Sequence, residues 1–144
     1  MTQVKKGHGS GCPIAFSLET FGDRWTLLLL RDLLLFGKQR YRELLASDEG
    51  IASNILADRL KRLEGSGIVE RGPDPDDGRQ VIYKVTAKGK SLIPVILEIA
   101  AWGATHDENT LAPKSFSERF FKNREAFHAD PQGELAKLLA EESS

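Results

Sequence analysis

Apolar positions recur with a helical period along most of this chain, and the period switches to two once, between residues 68 and 85. Residues 1–11 are polar and carry Gly7, Gly9 and Gly11, which predicts a flexible arm. Pro13 suits the first position of a helix whose apolar side is Ile14, Phe16, Leu18 and Phe21 and which Gly22 ends. Asp23 is an N-cap for a second helix, Trp25 to Phe36, stopped by Gly37. A short helix over 41–46, a polar turn over 47–50 and a longer helix from Ile51 to Glu64 follow. At 100° per residue the last has Leu56, Leu60 and Leu63 on one side and Asn54, Ala57, Asp58, Lys61 and Arg62 on the other. Ile68 to Arg71 and Arg79 to Val85 then read as two strands joined by the turn-rich stretch Gly72 to Gly78.

Thr86 caps a predicted long helix, Ala87 to Gly103, with Pro94 expected to kink it. Leu92, Val95, Ile96 and Ile99 form one stripe, but Ile93, Leu97 and Trp102 spread the apolar surface round the cylinder. A helix apolar on most sides is covered on more than one side, and a second copy of the chain is the natural cover. After Pro113, Phe116, Phe120 and Phe127 sit near one face, and a last helix, Gly133 to Glu142, carries Leu135, Leu138 and Leu139.

This order predicts a mainly α fold with a small β-hairpin wing (α+β), a winged helix-turn-helix dimerising through its first and last core helices. The expected organisation is an arm over 1–11, the winged domain over 12–110 and a C-terminal helical extension over 111–144. The predicted dimer interface is Ile14, Phe16, Leu92, Val95, Ile96, Ile99 and Trp102.

Composition excludes more than it points to. With 40% hydrophobic and 28% charged residues and a net charge of −1, no general basicity announces a polyanion partner. From Lys38 to Glu64 the basic residues (Lys38, Arg40, Arg42, Arg59, Lys61, Arg62) barely outnumber the acidic ones (Glu43, Asp48, Glu49, Asp58, Glu64), so charge alone leaves a solvated face and a DNA face equally open. Lys5 and Lys6 have no apolar stretch behind them, and the run Leu27 to Phe36 falls short of the ~18–20 residues of a membrane span, which predicts a cytoplasmic protein with no membrane partner. Cys12 is the one cysteine; His8, His106 and His128 lack metal-ligand spacing; no phosphate-cradling loop or nucleophile–base pair is present. Neither an enzyme nor a metal or other cofactor is expected.

The short helix, turn and longer helix instead form a helix-turn-helix with the hairpin as its wing. The front of helix 52–64 offers Ser53, Asn54, Asp58, Lys61 and Arg62, and Asn, Arg and Lys are the side chains that read base edges. Arg40 and Arg42 beside the short helix, and Arg79 in the wing over 72–80, complete the predicted contacts to double-stranded DNA. Asp76 and Asp77 would repel phosphate unless they pair with Arg79 and aim it.

Linked motifs in this order resemble the HxlR-type winged helix regulators, relatives of the MarR group. They are Cys12-Pro13-Ile14, the run Gly22 to Leu33, Arg40-Tyr41-Arg42-Glu43-Leu44, Ile55 to Glu64, Gly67 to Arg71 and Tyr83 to Gly89. The resemblance covers roughly residues 12–106 and implies a homodimeric repressor on palindromic operators, some of whose members sense electrophiles or oxidants at the position matching Cys12. Cys12 is therefore a candidate switch, although a small residue before a helix is the plainer reading. A small ligand in a pocket beside Trp25 and Trp102, lidded by the Phe-rich 116–127 stretch, is the alternative effector site. Two departures stand out: Ala52 replaces a frequent serine cap, which leaves Ser53 to cap the helix, and Ala57 replaces a frequent threonine.

Overall fold

The computed structural model describes residues 10–143, so the arm predicted over 1–11 lies outside the described residues up to residue 9. The chain opens with α1 (Pro13–Phe21) and α2 (Arg24–Leu34). Asp23 caps α2 by accepting the Thr26 N–H at 3.2 Å. Beside it, a Cβ on Gly22 would come within 2.5 Å of the Leu18 carbonyl oxygen, so the last turn of α1 closes tightly on its cap residue. The helix-turn-helix is α3 (Tyr41–Leu45) and α4 (Ser53–Gly65). Leu56, Leu60 and Leu63 of α4 are buried against Leu29, Leu30, Leu33 and Leu44 in one core.

The hairpin is β1 (Val69–Pro73) and β2 (Val81–Val85), antiparallel from Val69↔Val85 to Pro73↔Val81. A further bridge joins Arg40 to Ile82, and the Tyr83 N–H donates to the Gln39 carbonyl at 2.9 Å. The wing is thereby hydrogen-bonded to the segment that enters α3.

The predicted helix 87–103 is two helices, α5 (Ala87–Lys90) and α6 (Ile93–His106). Pro94 has no N–H and its ring conflicts with the carbonyl four residues back, so the first helix ends and the second restarts with Pro94 in its opening turn. Thr86 caps α5 as expected, accepting from the Gly89 N–H at 3.1 Å. Gly89 is there for space: a Cβ would lie 2.3 Å from the Ile68 carbonyl oxygen and 2.5 Å from the Val85 side chain.

The C-terminal chain forms α7 (Phe116–Lys122), α8 (Arg124–Ala129) and α9 (Pro131–Ser143). Pro131 opens the last helix instead of separating it from the one before. Phe116, Phe120, Phe127 and Leu138 are buried in the same core as Leu97 and Ala101 of α6. Gln132 reaches back to Gly37, occupying the space where a side chain would stand, and donates to the Leu34 carbonyl.

That packing corrects part of the predicted interface. Ile96 is buried in the chain's own core and Leu92 is packed against that core; α2, α7 and α8 all pack on α6. Ile14, Phe16, Ile99 and Trp102 remain exposed, and Val95 is half-buried. The predicted ligand pocket divides as well. Trp25 lines a small cleft with Leu28, Leu44 and Ile51, whereas Trp102 lines a separate open groove of about 360 Å³ with Ile99, His106 and Phe121. Phe116, Phe120 and Phe127 are core rather than lid. No helix among the described residues is long and apolar enough to cross a membrane.

Candidate nucleic-acid interface

The exposed front of α4 gathers Ser53, Asn54, Ala57, Asp58, Lys61 and Arg62 opposite the buried leucines. Ala52 is the N-cap residue and offers no side-chain bond; Ser53 does not replace it, because Ser53 already lies inside the helix. The Tyr41 hydroxyl donates to the Ser53 carbonyl at 3.1 Å, tying α3 to the start of α4. Asp58 pairs with Arg62 at 3.1 Å, one turn on, and with Arg59 at 2.6 Å, so its charge is offset on a face otherwise suited to phosphate. Lys61 is exposed and has no ion pair among the described residues. Arg42 is exposed on α3.

Arg40 takes a different place from the one predicted. Its Nε donates to Asp74 at 2.6 Å and its guanidinium faces Asp76 at 3.5 Å, so it braces the wing instead of standing free for phosphate. Asp74 is 3% exposed. The hydrogen bond from Arg40 comes first among the causes that hold its carboxyl below the usual range, with the Asp76 N–H next. Nothing in the sequence pointed to this pair, whose members stand 34 residues apart.

At the wing tip Arg79 is 92% exposed in its side chain and contacts Asp77 at 3.2 Å. Asp77 also accepts the Arg79 N–H, so the acid next to the arginine orients it, whereas Asp76 turns to Arg40. Arg79 and the α4 front are thus two separate exposed basic features of the winged unit. Cys12, at the far end of the sequence from the wing, is exposed and stands as the N-cap residue of α1 with no side-chain cap bond.

Comparison with known proteins gives this arrangement its context. Residues 20–110 match the family described as HxlR-like helix-turn-helix. The HTH-type transcriptional regulator YodB of Bacillus subtilis is 41% identical over 88 residues, covering 61% of this chain and 76% of YodB. The HTH-type transcriptional regulator Rv3095 of Mycobacterium tuberculosis is 33% identical over 122 residues, 85% of this chain and 74% of that one. The redox regulator HypR in its reduced form superposes with a TM-score of 0.60 at 29% identity, covering 67% of this chain and 95% of HypR. These relatives are regulators of transcription, not enzymes.

Proposed function

The chain belongs to the HxlR-like helix-turn-helix family and is a transcription regulator with a DNA-binding helix-turn-helix; on that premise we propose that it is a cytoplasmic homodimeric repressor of palindromic operators. In this reading α4 enters the major groove and reads bases with Asn54, Lys61 and Arg62, supported by Ser53 and Asp58. Arg42 and Arg79 hold phosphate or the minor groove at the flanks. The observation that carries the reading is the division of α4 into a leucine face sealed in the core and a front of exposed donors.

Binding to a duplex selected from a random pool, measured at several salt concentrations, tests it. Asn54→Ala is expected to relax preference at one base position by ~1–3 kcal/mol, and Arg79→Ala to weaken all duplexes alike with the salt slope lower by about two per dimer. An Arg79→Ala protein with wild-type affinity and slope would remove the wing from the interface.

The exposed apolar surface supports two copies: α1 has no buried residue, with Ile14 and Leu18 70% and 61% exposed, and α6 leaves Ile99 and Trp102 open. A large exposed apolar surface on a small chain marks an interface.

Cys12 is the proposed effector site. It is exposed as the N-cap residue of α1, within reach of reagents in solution. The relatives HypR, described as a redox regulator, and YodB, solved in a reduced form, support a thiol response. Oxidation of two thiols to a Cys12–Cys12 bridge, with the electrons passing to an oxidant such as a disulfide reagent, would join the paired α1 helices and reset the spacing of the recognition helices. Wild type is expected to lose operator affinity after mild disulfide stress, and Cys12→Ser to keep it. An equal response from both proteins would exclude the thiol and favour a ligand in the groove beside Trp102.

A further inference from the structure

Two charges that lie 36 residues apart meet across the molecule. Asp23 occupies the corner between α1 and α2, and Arg59 stands in the middle of α4. Arg59 Nε donates to Asp23 at 2.9 Å and Arg59 Nη1 donates to Asp58 at 2.6 Å; the same Asp58 oxygen lies 3.1 Å from Arg62 Nε. One row of alternating charge therefore runs from the corner to the exposed front of α4: Asp23, Arg59, Asp58, Arg62.

Asp23 is held from two sides. Its carboxylate caps α2 through the Thr26 N–H and also accepts from the Thr26 hydroxyl, while Arg59 binds it from α4. Partial burial works against its charge, but the bonds from Thr26 and Arg59 outweigh it and hold the carboxyl below the usual range. The Arg59 side chain is 19% exposed, too enclosed to serve as a free phosphate contact, whereas the Arg62 side chain is 63% exposed.

We propose that the row Asp23–Arg59–Asp58–Arg62 is a positioning device: it seats α4 and aims Arg62 on the DNA-reading face. The proposal rests on the reading of α4 as the recognition helix. Arg59 and Asp23 are positioning residues, acting through Asp58 and Arg62 without touching DNA. The Asp23 end of the pair is 40% exposed, so water screens its attraction to Arg59 and the pair adds little to folding stability. Base readout, by contrast, depends on fixed side-chain geometry.

The test separates the two tasks of Asp23. Asp23→Ser keeps a good helix cap and removes the charge; Arg59→Met keeps an apolar stem and removes the guanidinium. Two probes are used, a duplex selected by the wild-type protein from a random pool and mixed-sequence genomic DNA. Each variant is expected to bind the selected duplex about tenfold more weakly, with mixed-sequence affinity and thermal midpoint near wild type. The double variant should be no weaker than either single one, since both cut the same row. Arg59→Lys should recover part of the loss. The salt slope should stay at the wild-type value in Arg59→Met and fall in Arg79→Ala, because only the second loses a phosphate contact.

The proposal is overturned if Asp23→Ser leaves the ratio of the two affinities unchanged while Asn54→Ala lowers it. It is equally overturned if the single losses multiply in the double variant, or if Arg59→Met flattens the salt slope. Should Asn54→Ala also leave the ratio unchanged, the recognition-helix reading itself fails and the device with it. Asp23→Asn, which keeps an acceptor for the cap and loses the charge, carries the same expectations if the serine variant folds poorly.

Discussion

Phe120→Ala is expected to destabilise the chain by about 3–5 kcal/mol, the range for emptying a buried phenylalanine site. Phe120 is fully buried, with ring centroids 6.1 Å from Phe116 and 5.6 Å from Phe127, the latter edge-on at 87°. Such pairs add to the burial term when their geometry is offset or T-shaped. Arg124 lies over the outer side of the ring, 5.3 Å from its centroid, and is itself hydrogen-bonded to Glu98 of α6. Thermal unfolding should show the midpoint lowered by roughly 10–20 °C in one transition. A shift of a degree or two, or a separate early transition, would mean that α7–α9 fold independently of the winged unit. The effect reaches function because the same aromatic cluster supports α6, on which the proposed dimer is built.

Ile99→Asp is expected to give a folded monomer that has lost operator binding. Ile99 is 49% exposed on α6 beside Trp102, and a carboxylate there is solvated in the free chain but unpaired once a partner covers it. Light scattering should report the chain mass of 16.0 kDa for the variant and twice that for wild type. Affinity for the selected duplex should fall to the level of unrelated DNA, a thousandfold or more, since a palindrome is read by two recognition helices at once. Ile96→Asp is the contrasting control. Three residues earlier on the same helix, Ile96 is 5% exposed in the chain's own core, so its charge should unfold the protein. A dimer that survives Ile99→Asp with full affinity would move the interface elsewhere.

The sequence by itself determined the order of elements. Leucines every three or four residues in 56–63, alternation in 81–85, and the caps at Asp23 and Thr86 are local signals, each set by the geometry of a single helix or strand. They led to the winged helix-turn-helix, to the exposed front of α4 and to Arg79 at the wing tip. The break at Pro94 was half legible: a proline in a helix must disturb it, but whether the chain bends or stops depends on what each half packs against. What only the tertiary structure decided are the partners of groups far apart in the chain. Apolar periodicity marked α6 as covered on several sides and nominated a second copy as the cover; the structure buries Ile96 in the chain's own core, with α2, α7 and α8 packed on α6, whereas Ile99 and Trp102 stay open. In the sequence Arg40 read as a DNA contact and Arg59 as part of a charged helix face, until Asp74 and Asp23 closed on them across 34 and 36 residues. Periodicity and capping act within a few residues of one element, but an ion pair joins whichever charges the packed elements bring within reach. A linear pattern can nominate an arginine for DNA; the neighbours that packing supplies decide whether its guanidinium is still free to make the contact.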